Sequence, residues 1–250
     1  MDATTYKPKI EILSDPDSLA KRTVDIFVSE VEKVLSKKDL FFVALSGGHT
    51  PKHFFELLGT ELQSLALPWD KIHLFWVDER YVPADSPQSN YKLAADTFLG
   101  RVPVPQENIH RIPTEYSDFN TAAKRYEEII KVTFKLEKGK KPEFDLIILG
   151  MGPDGHTGSL FPNSYATFDT DDLACVVYVL DEKLNRITLT HPVLCAAKRL
   201  LVLVSGKEKT AILKEVMTTE PDEVRYPIHT LWPVLNKVTW LVDSDAASRL

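Results

Sequence analysis

Four short polar stretches carry the residues whose types and spacing could do chemistry: Ser46-Gly47-Gly48-His49-Thr50-Pro51, Asp78-Glu79-Arg80, Gly150-Met151-Gly152-Pro153-Asp154-Gly155-His156-Thr157 and Ser205-Gly206-Lys207. The first has the makings of a phosphate cradle. Glycines let backbone N–H groups approach an anion, and a helix starting at Pro51, with Thr50 as its cap, adds its partial positive charge. The alternative for this stretch is a tight strand-to-helix turn with no ligand. It is not a Walker A loop, which needs a wider glycine spacing and a Lys-Ser/Thr ending. Arg80 as a planar fork and Lys207 as a point charge could supply the positive charge that a phosphate requires, or simply face solvent. His156, in a glycine-rich turn, is the sharpest candidate: an imidazole there takes a proton from water near neutral pH, as hydrolysis demands. The competing reading is a hydrogen-bonded structural histidine. Asp78 and Asp154 read as orienting or electrostatic carboxylates, or as loop caps.

The elements around these stretches explain how they could meet. Strands are expected at 9–13, 41–45, 72–77 and 144–149, with further ones at 175–180, 186–190, 200–205 and 238–242. Helices are expected from a Ser14 or Asp15 cap to about Lys37, from Pro51 to about Leu65, from about Asn120 to Leu136 and from Glu208 to Met217. Short apolar runs alternating with amphipathic helices mean βαβ units and a mainly parallel sheet covered on both faces. Each polar stretch leaves the carboxyl end of a strand, and in an open parallel sheet those ends share one edge, where ligands bind. No repeat and no Gly-, Ser- or Pro-rich linker divides residues 1–250, so a single α/β domain is expected. The Lys138-Gly139-Lys140-Lys141-Pro142 run reads as a solvated helix stop.

Composition excludes several classes. With 250 residues, 44% hydrophobic and 26% charged, the chain can bury a sizeable core, and its net charge of −6 gives no basic excess for nucleic acid. The same charge repels an anionic substrate weakly, so a local basic cluster must attract it. Two cysteines, Cys175 and Cys195, make neither a disulfide framework nor a metal motif, and Cys175 opens an apolar run as a core residue. No stretch approaches the ~18 apolar residues of a membrane span. The first residues show no signal pattern, so a cytoplasmic setting is the default. Ser248-Arg249-Leu250 differs by one conservative change from a peroxisomal address, which makes that location a second expectation. No zinc spacing appears, Asp78 and Glu79 would diverge on a strand, and no G-x-S-x-G elbow marks a serine hydrolase; neither metal nor cofactor is expected.

Taken together, Ser46-Gly47-Gly48-x-Thr50-Pro51, Trp76-Val77-Asp78-Glu79-Arg80, Ser89-Asn90, the block from Gly150 through Asp154-Gly155-His156-Thr157 to Leu160-Phe161-Pro162, Arg186-Ile187-Thr188-Leu189-Thr190 and Trp240-Leu241-Val242-Asp243 resemble the 6-phosphogluconolactonases. The motifs stand in family order over nearly the whole chain. The resemblance implies a Rossmann-like three-layer α/β/α fold with a few extra strands, shared with glucosamine-6-phosphate deaminases and ribose-5-phosphate isomerases. It also implies metal-independent hydrolysis of 6-phospho-D-glucono-1,5-lactone in the oxidative pentose phosphate pathway, by a monomer or weak homo-oligomer whose only partner is that substrate. His156 then becomes the general base. Ser46, Gly47, Gly48, Thr50, Asp78, Arg80, Arg186 and Lys207 would hold phosphate and ring hydroxyls, Arg186 by resemblance alone. One position departs from the family pattern: His49 stands where a small serine is usual. A deaminase or isomerase on the same fold is the nearest rival, but its histidine block would read Asp-Gly-His-Ile, and Thr157 stands here instead. A sugar-phosphate sensor would not require His156.

Overall fold

The computed structural model describes residues 7–179 and 184–250. Ten strands are present among them: β1 (Lys9–Leu13), β2 (Phe41–Leu45), β3 (Ile72–Trp76), β4 (Asp78–Arg80), β5 (Ile109–His110), β6 (Leu146–Gly150), β7 (Ala174–Val177), β8 (Arg186–Leu189), β9 (Leu200–Val204) and β10 (Val238–Asp243). The helices are α1 (Pro16–Leu35), α2 (His49–Leu58), α3 (Leu62–Leu65), α4 (Asn90–Ala94), α5 (Phe119–Phe134), α6 (His191–Ala196) and α7 (Thr210–Thr218). Seven strands form one parallel sheet in the order β1-β10-β9-β6-β2-β3-β5. From β2 the chain steps outward through β3 and β5. It then returns to the other side of β2 with β6 and steps outward again through β9 and β10. The order therefore reverses between β2 and β6, and a crevice opens there at the carboxyl ends.

Local sequence accounts for the main elements. Every residue of β9, Leu-Leu-Val-Leu-Val, is buried, as a strand covered on both faces must be. In α1 the Asp15 side chain accepts a hydrogen bond from the Ser18 N–H at 2.7 Å, and Pro16 occupies the first turn where its missing N–H costs nothing. The helix lays Leu19, Val24, Phe27 and Val31 into the core, where Phe27 meets Phe41 and Phe54 edge-on, with centroids 5.9 and 6.0 Å away.

The structure departs from the expected elements in four places. The strand expected at 72–77 is two: Val77 bonds Leu45 O and accepts from Leu189 N, and the chain then leaves the main sheet. Asp78–Arg80 instead pairs antiparallel with β8, which pairs with β7, giving a second sheet of order β4-β8-β7. The strand expected to reach Leu180 ends at Val177, and Leu180 itself lies outside the described residues, as do residues 1–6. The helix expected over 51–65 starts at His49 and breaks at Gly59, where a Cβ would stand 2.8 Å from Thr97 O. Its cap is Gly48, so Thr50 lies inside the first turn. Not foreseen were α4, the π-turn that follows at Ala95–Leu99, β5, α6 and the Pro-interrupted helical turns of Pro227–Lys237, all too short or broken to leave a clear period.

Candidate active site

The crevice between β2 and β6 holds a cleft of about 550 Å³ whose walls come from all four polar stretches. Ser46 follows β2, and its N–H bonds Ile148 O at 3.0 Å, tying the loop to β6. Gly48 then takes φ +104°, a conformation that favours glycine, and turns the chain into α2 without a side-chain cap. The first N–H groups of α2 are left for a ligand or water, beside the positive end of the helix dipole. The Ser46 hydroxyl is buried against this loop with no protein partner. Thr50 and the exposed His49 line the same wall.

The short strand β4 sends its two carboxylates to opposite sides, as alternation requires. Asp78 lines the cleft and accepts from the Ser159 hydroxyl at 2.6 Å. Glu79 points away and accepts from the Arg80, Asn90 and Tyr91 N–H groups at 2.8, 2.7 and 2.8 Å and from the Ser89 hydroxyl at 2.9 Å. Burial pushes its carboxyl above the ordinary glutamate range although those four donors pull the other way. Arg80 and Arg186 are cross-strand neighbours on β4 and β8, and both line the cleft. Their guanidinium groups bond only main-chain carbonyls, Gln88 O at 2.9 Å and Leu184 O at 2.7 Å respectively. Burial, with the Arg80 charge second, lowers the pKa of Arg186. Two half-buried forks with no carboxylate within 4.0 Å among the described residues make a site for an anion.

Opposite them stands His156. Its Nδ1–H donates to Asp154 Oδ1 at 2.5 Å, and its main-chain N–H reaches the same oxygen at 3.2 Å. That bond fixes the tautomer and leaves Nε2 with a free lone pair. Burial raises the Asp154 carboxyl, but the hydrogen bond and charge of His156 outweigh it, and the net shift is downward. The ring lies on Gly152, where a Cβ would come within 2.1 Å of Nδ1, and against Phe161 with centroids 4.6 Å apart. The turn behind it is held by Gly155 O, which accepts from Ile228 N at 3.0 Å.

Of the residues expected in the site, Ser46, Gly47, Gly48, Thr50, Asp78, Arg80, His156 and Arg186 all line the cleft, and Asp154 stands behind His156. Lys207 does not line it. Its side chain is 82% exposed and lies 4.0 Å from Asp245. Lys209 lines the cleft in its place, because the tight turn of Lys207–Lys209 aims the two lysines differently. Burial lowers the Lys209 pKa, while Glu208 and Asp154 oppose that shift. The Gly206-Lys207-Glu208-Lys209 spacing marks a basic turn but not which lysine faces inward. Asn90, Ser159 and Lys209 are the cleft residues that sequence reasoning left without a role. No group of three His, Cys, Asp or Glu side chains gathers as a metal site among the described residues, and no helix among them is long and apolar enough to cross a membrane.

Comparison with known proteins agrees with this geometry. Residues 14–240 match the family described as glucosamine-6-phosphate isomerases/6-phosphogluconolactonase. The chain is 37% identical over 245 residues to a 6-phosphogluconolactonase of Nostoc sp., covering 98% of this chain and 99% of that one. A solved 6-phosphogluconolactonase of Thermotoga maritima superposes with a TM-score of 0.79 at 33% identity, over 95% of this chain and all of the other. A monomeric glucosamine-6-phosphate deaminase superposes at 0.82 with 21% identity over 97% of this chain and 100% of that one, which shows a shared fold and no more.

Proposed function

The chain belongs to the glucosamine-6-phosphate isomerase/6-phosphogluconolactonase family, and on that premise we propose that it hydrolyses 6-phospho-D-glucono-1,5-lactone to 6-phospho-D-gluconate, with His156 as the base that activates water. The observation that carries the reading is one cleft with two unlike ends. One end is a glycine loop at a helix N-terminus near Arg80, Arg186 and Lys209; the other is an imidazole held by a carboxylate.

The phosphate dianion is held at the first end by α2 N–H groups and the cations. The lactone carbonyl then lies toward His156. Nε2 takes a proton from water as the water oxygen bonds the carbonyl carbon, and Asp154 steadies the imidazolium that results. When the tetrahedral intermediate collapses, the ring C–O bond breaks and the leaving oxygen takes the proton back from Nε2. Water is consumed, the acid is released and His156 is neutral again. Asp78, fixed by Ser159, accepts a ring hydroxyl of the substrate.

The test is to generate the lactone in situ with glucose-6-phosphate dehydrogenase and follow its loss with and without the protein, beside His156→Ala. Faster loss with wild type and not with the variant supports both the activity and the base. Acceleration by both proteins removes His156 from its role, and acceleration by neither removes the lactonase reading.

A further inference from the structure

Asn90 is 2% exposed, opens α4 and has no part in the chemistry above, yet it touches both walls of the cleft. Its N–H is seated on Glu79 Oε1 at 2.7 Å, so the buried carboxylate decides where α4 starts. The side-chain Nδ2 donates to the main-chain oxygen of Asp78 at 2.9 Å. A carbonyl only accepts, so the carboxamide is fixed with Oδ1 on its other side. Oδ1 is buried without a donor and presses on Gly47: a Cβ at residue 47 would stand 1.9 Å from Oδ1 and 2.3 Å from Cγ.

The two neighbouring glycines of the loop are therefore small for unlike reasons. Gly48 has φ +104° and open space around a would-be Cβ, so its need is conformational. Gly47 has no left-handed φ, and what forbids a side chain there is the Asn90 carboxamide.

We propose that Asn90 is a positioning residue whose carboxamide sets the spacing between the Ser46–Thr50 loop and the Asp78 side of the cleft. It acts through Gly47 and the Asp78 backbone rather than by touching substrate. Its effect on turnover rests on the lactonase reading; the interlock itself does not.

The experiment is a double-variant cycle with Gly47→Ala, Asn90→Gly and the pair combined, read as melting temperature and as KM and kcat for the lactone. Gly48→Ala, alone and with Asn90→Gly, is the control. Gly47→Ala is expected to lower Tm by about 3 °C or more and to raise KM about tenfold or more, with kcat within about threefold of wild type. Asn90→Gly is expected to relieve Gly47→Ala, bringing Tm and KM of the pair close to those of Asn90→Gly alone, while leaving the Gly48→Ala penalty whole. Additive penalties for Gly47→Ala and Asn90→Gly would overturn the interlock, as would equal relief of Gly48→Ala. A kcat loss with unchanged KM would overturn the positioning role. Should wild type show no lactonase activity, the proposed function fails, and the Tm cycle alone still decides whether the interlock exists.

Discussion

The two ends of the central strands use the same kinds of residue in opposite ways. At the amino ends, Asp145, 1% exposed, accepts from Lys38 at 2.6 Å, Lys198 at 3.5 Å and the Phe42 N–H at 2.9 Å. Nearby, Glu30 is bonded by Arg199 and, at 3.2 Å, by Lys33. At the carboxyl ends, Arg80, Arg186 and Lys209 are half-buried without a carboxylate within 4.0 Å among the described residues, and the Ser46 hydroxyl is buried without a partner. Charges that the chain completes by itself hold the fold. Charges that it partly desolvates and leaves incomplete are kept for something that arrives from outside.

The largest effect expected tests the cleft end: His156→Ala lowers kcat about 10²–10⁴-fold with KM little changed, as loss of a general base does, and steady-state kinetics would show it. At the other end, Asp145→Ala strands two lysines and a buried N–H. Urea unfolding should report about 3 kcal/mol less stability, with kcat/KM of the folded protein unchanged. A catalytic defect there would erase the contrast.

His110 sharpens the comparison from the edge of the sheet, where a buried polar group is satisfied without charge. It stacks on Phe75 and shares a 2.9 Å hydrogen bond with His73, and burial, with His73 second, pushes its pKa down to about 4 from 6.5. The unfolded chain then takes up a proton first as the pH falls below 6.5, so stability is level above that value and declines toward 4. Between pH 6.5 and 5 the loss is about 2 kcal/mol, and His110→Gln should remove it from urea midpoints measured at the two pH values. Smallest is the lysine pair: Lys209→Ala should raise KM about tenfold and Lys207→Ala less than about twofold, because only Lys209 faces the cleft.

How far the sequence could be read follows from the range of each signal. β2, β6 and β9 are legible as unbroken apolar runs, and glycine-bearing turns at their ends announced a shared edge. His156 and Asp154, two residues apart, carry their geometry in their spacing. What escaped depends on distant partners. Nothing near Asp78-Glu79-Arg80 says that these residues leave one sheet for another, because the strand they join lies at Arg186–Leu189. Nothing near Asn90 shows that it meets Gly47, nor does the turn at Gly206 reveal which lysine swings inward. The π-turn after α4 and the turns around Pro233 lack any period to detect.

The position of β10 has a consequence for how the molecule is made. β1 has β10 as its sole strand neighbour in the main sheet, and Asp243, where β10 ends, accepts from the Ser205 hydroxyl and Gly206 N–H at 2.5 and 3.0 Å. During synthesis β1 is among the first segments to emerge, and it waits beside an unfinished sheet until its partner has left the ribosome. The same late segment anchors the wall of the cleft that carries Lys209. The nascent chain therefore gains a closed sheet and a complete cleft in one final step, with every earlier stage silent.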